Sequence, residues 1–151
     1  PGMDPGEIRQ VISAAKARGM SVMAHANGAE TVRAAAEAGV DTVEHGAYLD
    51  RDALQACADN GVIWVPTLSA IGNLRGKGRF SEPDVERILA SAMENVALYA
   101  SMGGLIAPGT DAGAWAVPHG SLTEYALLKE CLGSGWETLL DRGARALEAQ
   151  F

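Results

Sequence analysis

The sequence lacks the features that mark membrane, secreted and nucleic-acid-binding proteins. No apolar run approaches the ~20 residues that a membrane-spanning helix needs. Residues 1–6 include neither a basic nor an apolar stretch, so we expect no signal peptide. The 12 Lys and Arg residues are scattered and outnumbered by 19 Asp and Glu, which gives a net charge of -7. Nucleic acid and anionic membranes are therefore not expected as partners.

Cysteine is also scarce. Cys57 and Cys131 are the only two cysteines, and they show no CxxC spacing. Two unpaired cysteines are typical of a protein in a reducing compartment, so the sequence predicts a cytoplasmic location.

Short apolar segments alternate with longer amphipathic ones along all 151 residues. We expect strands at residues 20–24, 40–44, 62–65 and 104–107, and helices at 4–19, 29–38, 51–59, 81–103, 122–132 and 136–149. Residues 69–81 are expected to form a loop. Apolar strands alternating with helices indicate an α/β fold, a parallel sheet flanked by helices. Four such βα units correspond to the second half of a TIM-type (β/α)8 barrel, a single partial domain over residues 1–151 with no separate second domain.

Three polar residues follow apolar segments near the expected strand ends: His25, His45 and Asp111. The carboxyl ends of parallel strands form one edge of a sheet, where α/β proteins place their sites. Two imidazoles and a carboxylate are a ligand set for a divalent metal. On adjacent strands, His25 and His45 are expected within several ångströms of each other.

Each of these residues also has a simpler interpretation. A single histidine such as His25 is often a hydrogen-bonded core residue, and Asp111 could cap the next helix. His119 could contact a substrate or only support its loop, and Trp115 could wall a pocket or only pack. The loop at 69–81 and the segment 115–119 are where we expect substrate specificity to be determined.

Four segments taken together resemble the second half of the amidohydrolase superfamily barrel, in its imidazolonepropionase-like and prolidase-like branch. They are His25-Ala26-Asn27-Gly28, Val43-Glu44-His45-Gly46, Val65-Pro66-Thr67-Leu68 and Pro108-Gly109-Thr110-Asp111-Ala112-Gly113.

The resemblance implies a hydrolase that cleaves a C–N bond in an amide, a cyclic amide or a dipeptide. It assigns His25, His45 and Asp111 as metal ligands, with zinc the expected ion, and one or two ions in the parent family. His45 would ligate a metal in two-metal members or polarise the substrate in some one-metal members, and Asp111 would act as general base. His119 and Trp115 would contact the small-molecule substrate.

The resemblance also implies that part of the site is missing. The family pattern includes a His-x-His pair on the first barrel strand, and none of the three histidines here forms such a pair. An opened barrel would leave two strand edges and one sheet face uncovered. We therefore expect either a homo-oligomer or a complementing N-terminal half, and an inactive isolated chain.

Two alternatives remain open at this point. The chain could be a half-barrel without catalysis that serves as a binding or assembly module. It could also be a different α/β-barrel enzyme in which the same three residues act without a metal.

Overall fold

The computed structural model describes residues 2–113 and 116–151 and contains one four-stranded parallel sheet of order β1-β2-β3-β4. Its strands are β1 (Met23–Ala26), β2 (Thr42–His45), β3 (Ile63–Val65) and β4 (Leu105–Ile106). The helices are α1 (Pro5–Lys16), α2 (Ala29–Glu37), α3 (Arg51–Asp59), α4 (Leu68–Gly72), α5 (Glu82–Ser101), α6 (Thr123–Leu132) and α7 (Trp136–Gln150). The predicted α/β order is confirmed.

The beginning of α1 illustrates how local sequence sets these bounds. The Asp4 carboxylate accepts hydrogen bonds from the N–H groups of Gly6 at 2.7 Å and Glu7 at 3.0 Å. The Glu7 carboxylate accepts in return from the Asp4 N–H at 2.9 Å. Pro5 occupies the first helical turn, where backbone N–H groups have no acceptor within the helix, so no hydrogen bond is lost because proline lacks an N–H. These reciprocal hydrogen bonds form a capping box, and they explain why α1 begins where the sequence predicts a helix.

Most of the core lies between one face of the sheet and the helices. Val43, Trp64 and Ile106 point into it from three neighbouring strands, and all three are buried. The Tyr99 ring meets the Trp64 ring edge-on at 5.6 Å, and its hydroxyl donates to the Val62 carbonyl at 2.6 Å. This packing fixes α5 against the strands whose ends bear the candidate residues.

The opposite face of the sheet is partly covered, which corrects an expectation from the sequence. Ile63 and Val65 pack there against Ala146 and Leu147 of α7. Helix α7 contributes to both clusters: Leu140 packs into the main core, whereas Ala146 and Leu147 cover this face. On the β1 side, Met23 remains 49% exposed.

Several predicted boundaries differ from the structure by two or three residues, and two of them have a clear reason. The first strand begins at Met23 rather than at residue 20, because the Met20 N–H still bonds to the Ala15 carbonyl at the end of α1. The expected loop at 69–81 begins inside the short helix α4. Within the described residues, no helix is both long enough and apolar enough to cross a membrane.

Candidate active site

His25 and His45 lie side by side on β1 and β2. The parallel register pairs Ala26 with His45, so the two histidines are one position apart along the sheet edge. His25 Nδ1 lies 2.9 Å from His45 Nε2, and the ring centroids are 5.0 Å apart. The predicted proximity of the two imidazoles is confirmed, although His25 lies within β1 rather than after it.

The other nitrogen of His45 contacts Thr67, a residue that the sequence analysis did not single out. His45 Nδ1 lies 2.8 Å from Thr67 Oγ1, and the Thr67 residue is 5% exposed. When Nδ1 donates its proton to this hydroxyl, Nε2 holds the lone pair that faces His25. Thr67 therefore fixes the ring orientation of His45 and can select its tautomer.

Residues with left-handed backbone conformations lie at the end of β2 and in the segments that follow β3 and β4. His45 has φ 73°, Thr67 φ 48° and Asp111 φ 51°. Such values are rare for residues other than glycine, above all for the β-branched Thr67. Each costs on the order of 1–3 kcal/mol, and such strain concentrates at functional sites. The three positions therefore form one strained rim at the sheet edge.

Two glycines of the quoted motifs allow close approaches beneath this rim. A Cβ at Gly46 (φ 66°) would lie 2.6 Å from Trp64 Nε1, the atom that donates to the His45 carbonyl at 3.0 Å. A Cβ at Gly109 would lie 2.4 Å from Val65 Cγ1. No side chain fits at either position, so the ends of β2 and β4 both depend on glycine.

Asp111 does not join the histidines in a three-ligand cluster. Its side chain is exposed in the loop after β4. Across residues 2–113 and 116–151, no group of three or more His, Cys, Asp and Glu residues is arranged to hold a metal ion. The structure thus brings together His25 and His45 and leaves Asp111 after β4, two strands away from His45 in the sheet.

The two residues predicted to contact substrate lie after Asp111. His119 is exposed, and its imidazole lies beside Gly113, where an added Cβ would come within 3.6 Å of Nε2. Trp115 lies outside the described residues. His119 therefore borders the Asp111 loop and remains a prediction as a substrate contact.

A cavity of about 560 Å³ opens beside His45 and Thr67. Its wall is mostly apolar and is formed by α4, α5 and the segment between them, including Ala70, Ile71, Phe80, Val85 and Ile88. Tyr48 and Phe80 also line the cavity, and they are 64% and 51% exposed. The backbone of Tyr48 is left-handed, with φ 62°. The expected specificity segment at 69–81 thus borders a cavity that reaches His45.

A buried carboxylate lies behind the rim. Glu124, in the first turn of α6, has no solvent exposure, and its Oε2 accepts a hydrogen bond from the Ser69 N–H at 2.6 Å. Burial raises the pKa of Glu124 to about 7, against the opposing effect of hydrogen bonds from Ser69 and from the Leu68 N–H. In sequence, an acidic residue in a first helical turn indicates only a favourable helix-dipole interaction.

Comparison with known proteins agrees with this geometry. The family model described as the amidohydrolase family matches residues 1–151. The chain belongs to the amidohydrolase family. An uncharacterized protein of Mycobacterium tuberculosis H37Rv is 27% identical over 132 residues, which are 83% of this chain and 35% of that protein.

Solved structures of this amidohydrolase's relatives share its fold. A Xaa-Pro dipeptidase with methionine bound in its active site is 30% identical, with a TM-score of 0.80 over 99% of this chain and 39% of its own. A putative prolidase from Bifidobacterium longum is 26% identical (TM-score 0.79; 98% and 41%). The ochratoxinase of A. niger is 25% identical (TM-score 0.77; 95% and 33%).

This amidohydrolase chain therefore spans about two fifths or less of the relatives that it matches. Its four βα units correspond to part of the TIM barrel of these neighbours, and the predicted half-barrel architecture is confirmed.

Proposed function

We propose that this chain forms part of an enzyme that hydrolyses a C–N bond in an amide, a cyclic amide or a dipeptide, with a divalent metal ion. The observation that supports this most strongly is the His25–His45 pair, with its facing nitrogens 2.9 Å apart, in a member of the amidohydrolase family. The strained backbone at His45, Thr67 and Asp111 supports a functional rather than structural role for this rim.

The donor chemistry of the histidine pair fits a divalent ion such as zinc. Two nitrogen ligands of a tetrahedral zinc ion, each at 2.0–2.1 Å, are separated by roughly 3.3 Å. His25 Nδ1 and His45 Nε2 need to separate by only a few tenths of an ångström from their 2.9 Å contact. A bound ion at these imidazoles would supply Lewis-acid polarisation of the scissile carbonyl and of the attacking water. We propose that ligands from outside these residues complete its coordination.

The chain's own residues would divide the remaining tasks. Asp111, exposed at the rim, would accept a proton from the attacking water on its carboxylate and return it to the leaving nitrogen. His45, with its ring held by Thr67, would present Nε2 to the ion. His119 and Trp115 are proposed as substrate contacts.

The cavity beside His45 favours a substrate with an apolar side chain next to the scissile bond. Its volume of about 560 Å³ is within the usual range for small-ligand sites, and its walls are mainly aliphatic and aromatic. The Xaa-Pro dipeptidase neighbour holds methionine, an apolar amino acid, in its active site. We therefore propose a dipeptide-like amide with an apolar residue as the substrate class.

We also propose that residues 1–151 are one half-barrel domain that works in a homo-oligomer or with a complementing N-terminal half. Exposed apolar side chains from the N-terminal segment, α1 and β1 line one cavity: Met3 is 49%, Val11 53% and Met23 49% exposed. His25 also lines this second cavity, of about 470 Å³. Size-exclusion chromatography with light scattering tests association of the chain with itself. A dimer or larger species is expected, and a clean monomer would leave only the complementing half.

A cytoplasmic location is proposed as well. Cys57 and Cys131 are both free, as expected for a reducing compartment.

The hydrolytic function is tested on the assembled species with zinc. We expect release of proline from Met-Pro but little from Asp-Pro, because the apolar cavity does not accommodate a carboxylate. An Asp111→Asn variant should lose the activity, and a Glu37→Gln variant at the exposed last residue of α2 should keep it. Zinc-independent activity would favour a metal-independent barrel enzyme. A lack of both zinc binding and hydrolysis would favour a binding module.

A further inference from the structure

Glu124 is the most deeply buried carboxylate of the described residues, and the proposed reaction does not use it. The residue has no solvent exposure. Its Oε2 accepts from the Ser69 N–H at 2.6 Å, whereas Oε1 has no hydrogen-bond partner among the described residues. Burial of a carboxylate costs free energy because the group loses its hydration, and an apolar side chain in the same space would avoid this cost. The carboxylate therefore needs a specific explanation.

The helix that Glu124 contacts lacks its usual cap. Thr67 occupies the N-cap position of α4, where a threonine hydroxyl normally accepts a hydrogen bond from the first turn. Here the hydroxyl makes no such bond and instead lies 2.8 Å from His45 Nδ1. The N–H of Ser69, in the first turn of α4, is satisfied by Glu124 instead. Glu124 thus replaces Thr67 as the cap, and the Thr67 hydroxyl is free to bind His45.

The same contact extends to the strand that bears Asp111. The Ser69 hydroxyl donates to the carbonyl of Thr110 at 2.7 Å, directly before Asp111. Asp111 has φ 51°, a conformation that needs support from its surroundings. Ser69 therefore joins the buried carboxylate on α6 to the loop after β4.

We propose that Glu124 is a positioning residue for the active site. Its carboxylate holds the first turn of α4, so that Thr67 orients His45 and Ser69 restrains the Asp111 loop. This inference rests on the proposed function only for the roles of His45 and Asp111.

The experiment compares three variants of the 151-residue chain by NMR of the metal-free protein. Glu124→Gln keeps an acceptor oxygen at the cap, and Glu124→Leu removes it at similar volume. Leu128→Ala is the matched control, because Leu128 is also fully buried on α6, one turn away, and contributes no polar contact. The readouts are the ¹⁵N resonances of the His45 ring and the backbone resonances of Thr110 and Asp111.

We expect Glu124→Leu to shift both His45 ring nitrogens towards the values of a Thr67→Val variant, and to shift Asp111. Glu124→Gln should keep wild-type positions at both places. Leu128→Ala should lower stability but leave the His45 ring resonances unchanged. The proposal is overturned if Glu124→Leu leaves His45 and Asp111 as in the wild type, or if Leu128→Ala shifts them equally.

Ser69→Ala acts mainly on the contact with the Asp111 loop. This variant removes the hydroxyl that donates to the Thr110 carbonyl and also contributes to holding Glu124, but it keeps the Ser69 N–H bound to Glu124. It should shift Asp111 more than His45, and equal shifts at both would contradict a direct contact of Ser69 with the Asp111 loop. If Glu124→Leu does not fold, Glu124→Asp provides the disruption, because its shorter side chain does not reach the Ser69 N–H. Since no readout uses zinc or hydrolysis, failure of this proposal is distinguishable from failure of the proposed function.

Discussion

The buried Glu124 predicts a specific dependence of stability on pH. Burial raises the pKa of this carboxyl from 4.5 to about 7 in the folded chain. A raised pKa in an acid means that the folded state favours the protonated form. The associated stability is fully present below pH 4.5 and is lost as pH rises through about 7. The free energy of unfolding should therefore fall as the pH is raised from mildly acidic to mildly basic values.

The size of the effect follows from the two pKa values. Linkage of proton binding to unfolding gives a loss of about 2 kcal/mol between pH 5.5 and pH 8 from this single group. Glu124→Gln removes the titration while keeping a cap acceptor. The neighbouring Cys131 stays protonated over this range, because burial raises its pKa to about 11.

Urea unfolding of wild type and Glu124→Gln at both pH values measures this difference. We expect the wild type to lose about 2 kcal/mol more than the variant on going from pH 5.5 to pH 8. Equal pH dependence in the two proteins would refute the reasoning. A larger loss in Glu124→Gln would show that the carboxylate is stabilised when charged.

Three further substitutions have outcomes that the structure determines. Gly46→Ala should lower the free energy of unfolding by at least about 2 kcal/mol in urea titrations, because its Cβ would meet Trp64 Nε1 at 2.6 Å at φ 66°; an unchanged midpoint would contradict this packing. Asp4→Ala should cost about 1 kcal/mol through loss of the α1 capping box, and an unchanged thermal midpoint would argue against it. Thr67→Val should change the tautomer equilibrium of His45 in ¹⁵N NMR spectra with little change in fold, and an unaltered ring spectrum would exclude the 2.8 Å contact as its determinant.

The sequence was sufficient for the features that depend on local pattern. Apolar strands alternating with helices predicted a parallel sheet, and equivalent positions on adjacent strands placed His25 beside His45. The expected starts of α1 and α3 agree with the structure to within one residue, because the cap bonds of Asp4 and Asp50 each lie within three residues.

The features that could not be predicted depend on long-range contacts. Thr67 binds His45 only because its backbone is left-handed and its side chain leaves the helix cap. Glu124 meets Ser69 across 55 residues of sequence, a distance over which no periodicity applies. The cover that α7 gives to the second face of the sheet is likewise a tertiary contact.

Zinc binding to the chain, measured by isothermal titration calorimetry and by elemental analysis, tests the central claim of a metal site at the His25–His45 pair most directly. The account predicts saturable zinc binding by the wild type, which is lost in His25→Ala and His45→Ala and kept in the control His119→Ala. Binding should weaken as the pH falls through the range where imidazoles protonate. Equal zinc binding by all four proteins, or none by the wild type in its associated form, would contradict a metal site at the His25–His45 pair.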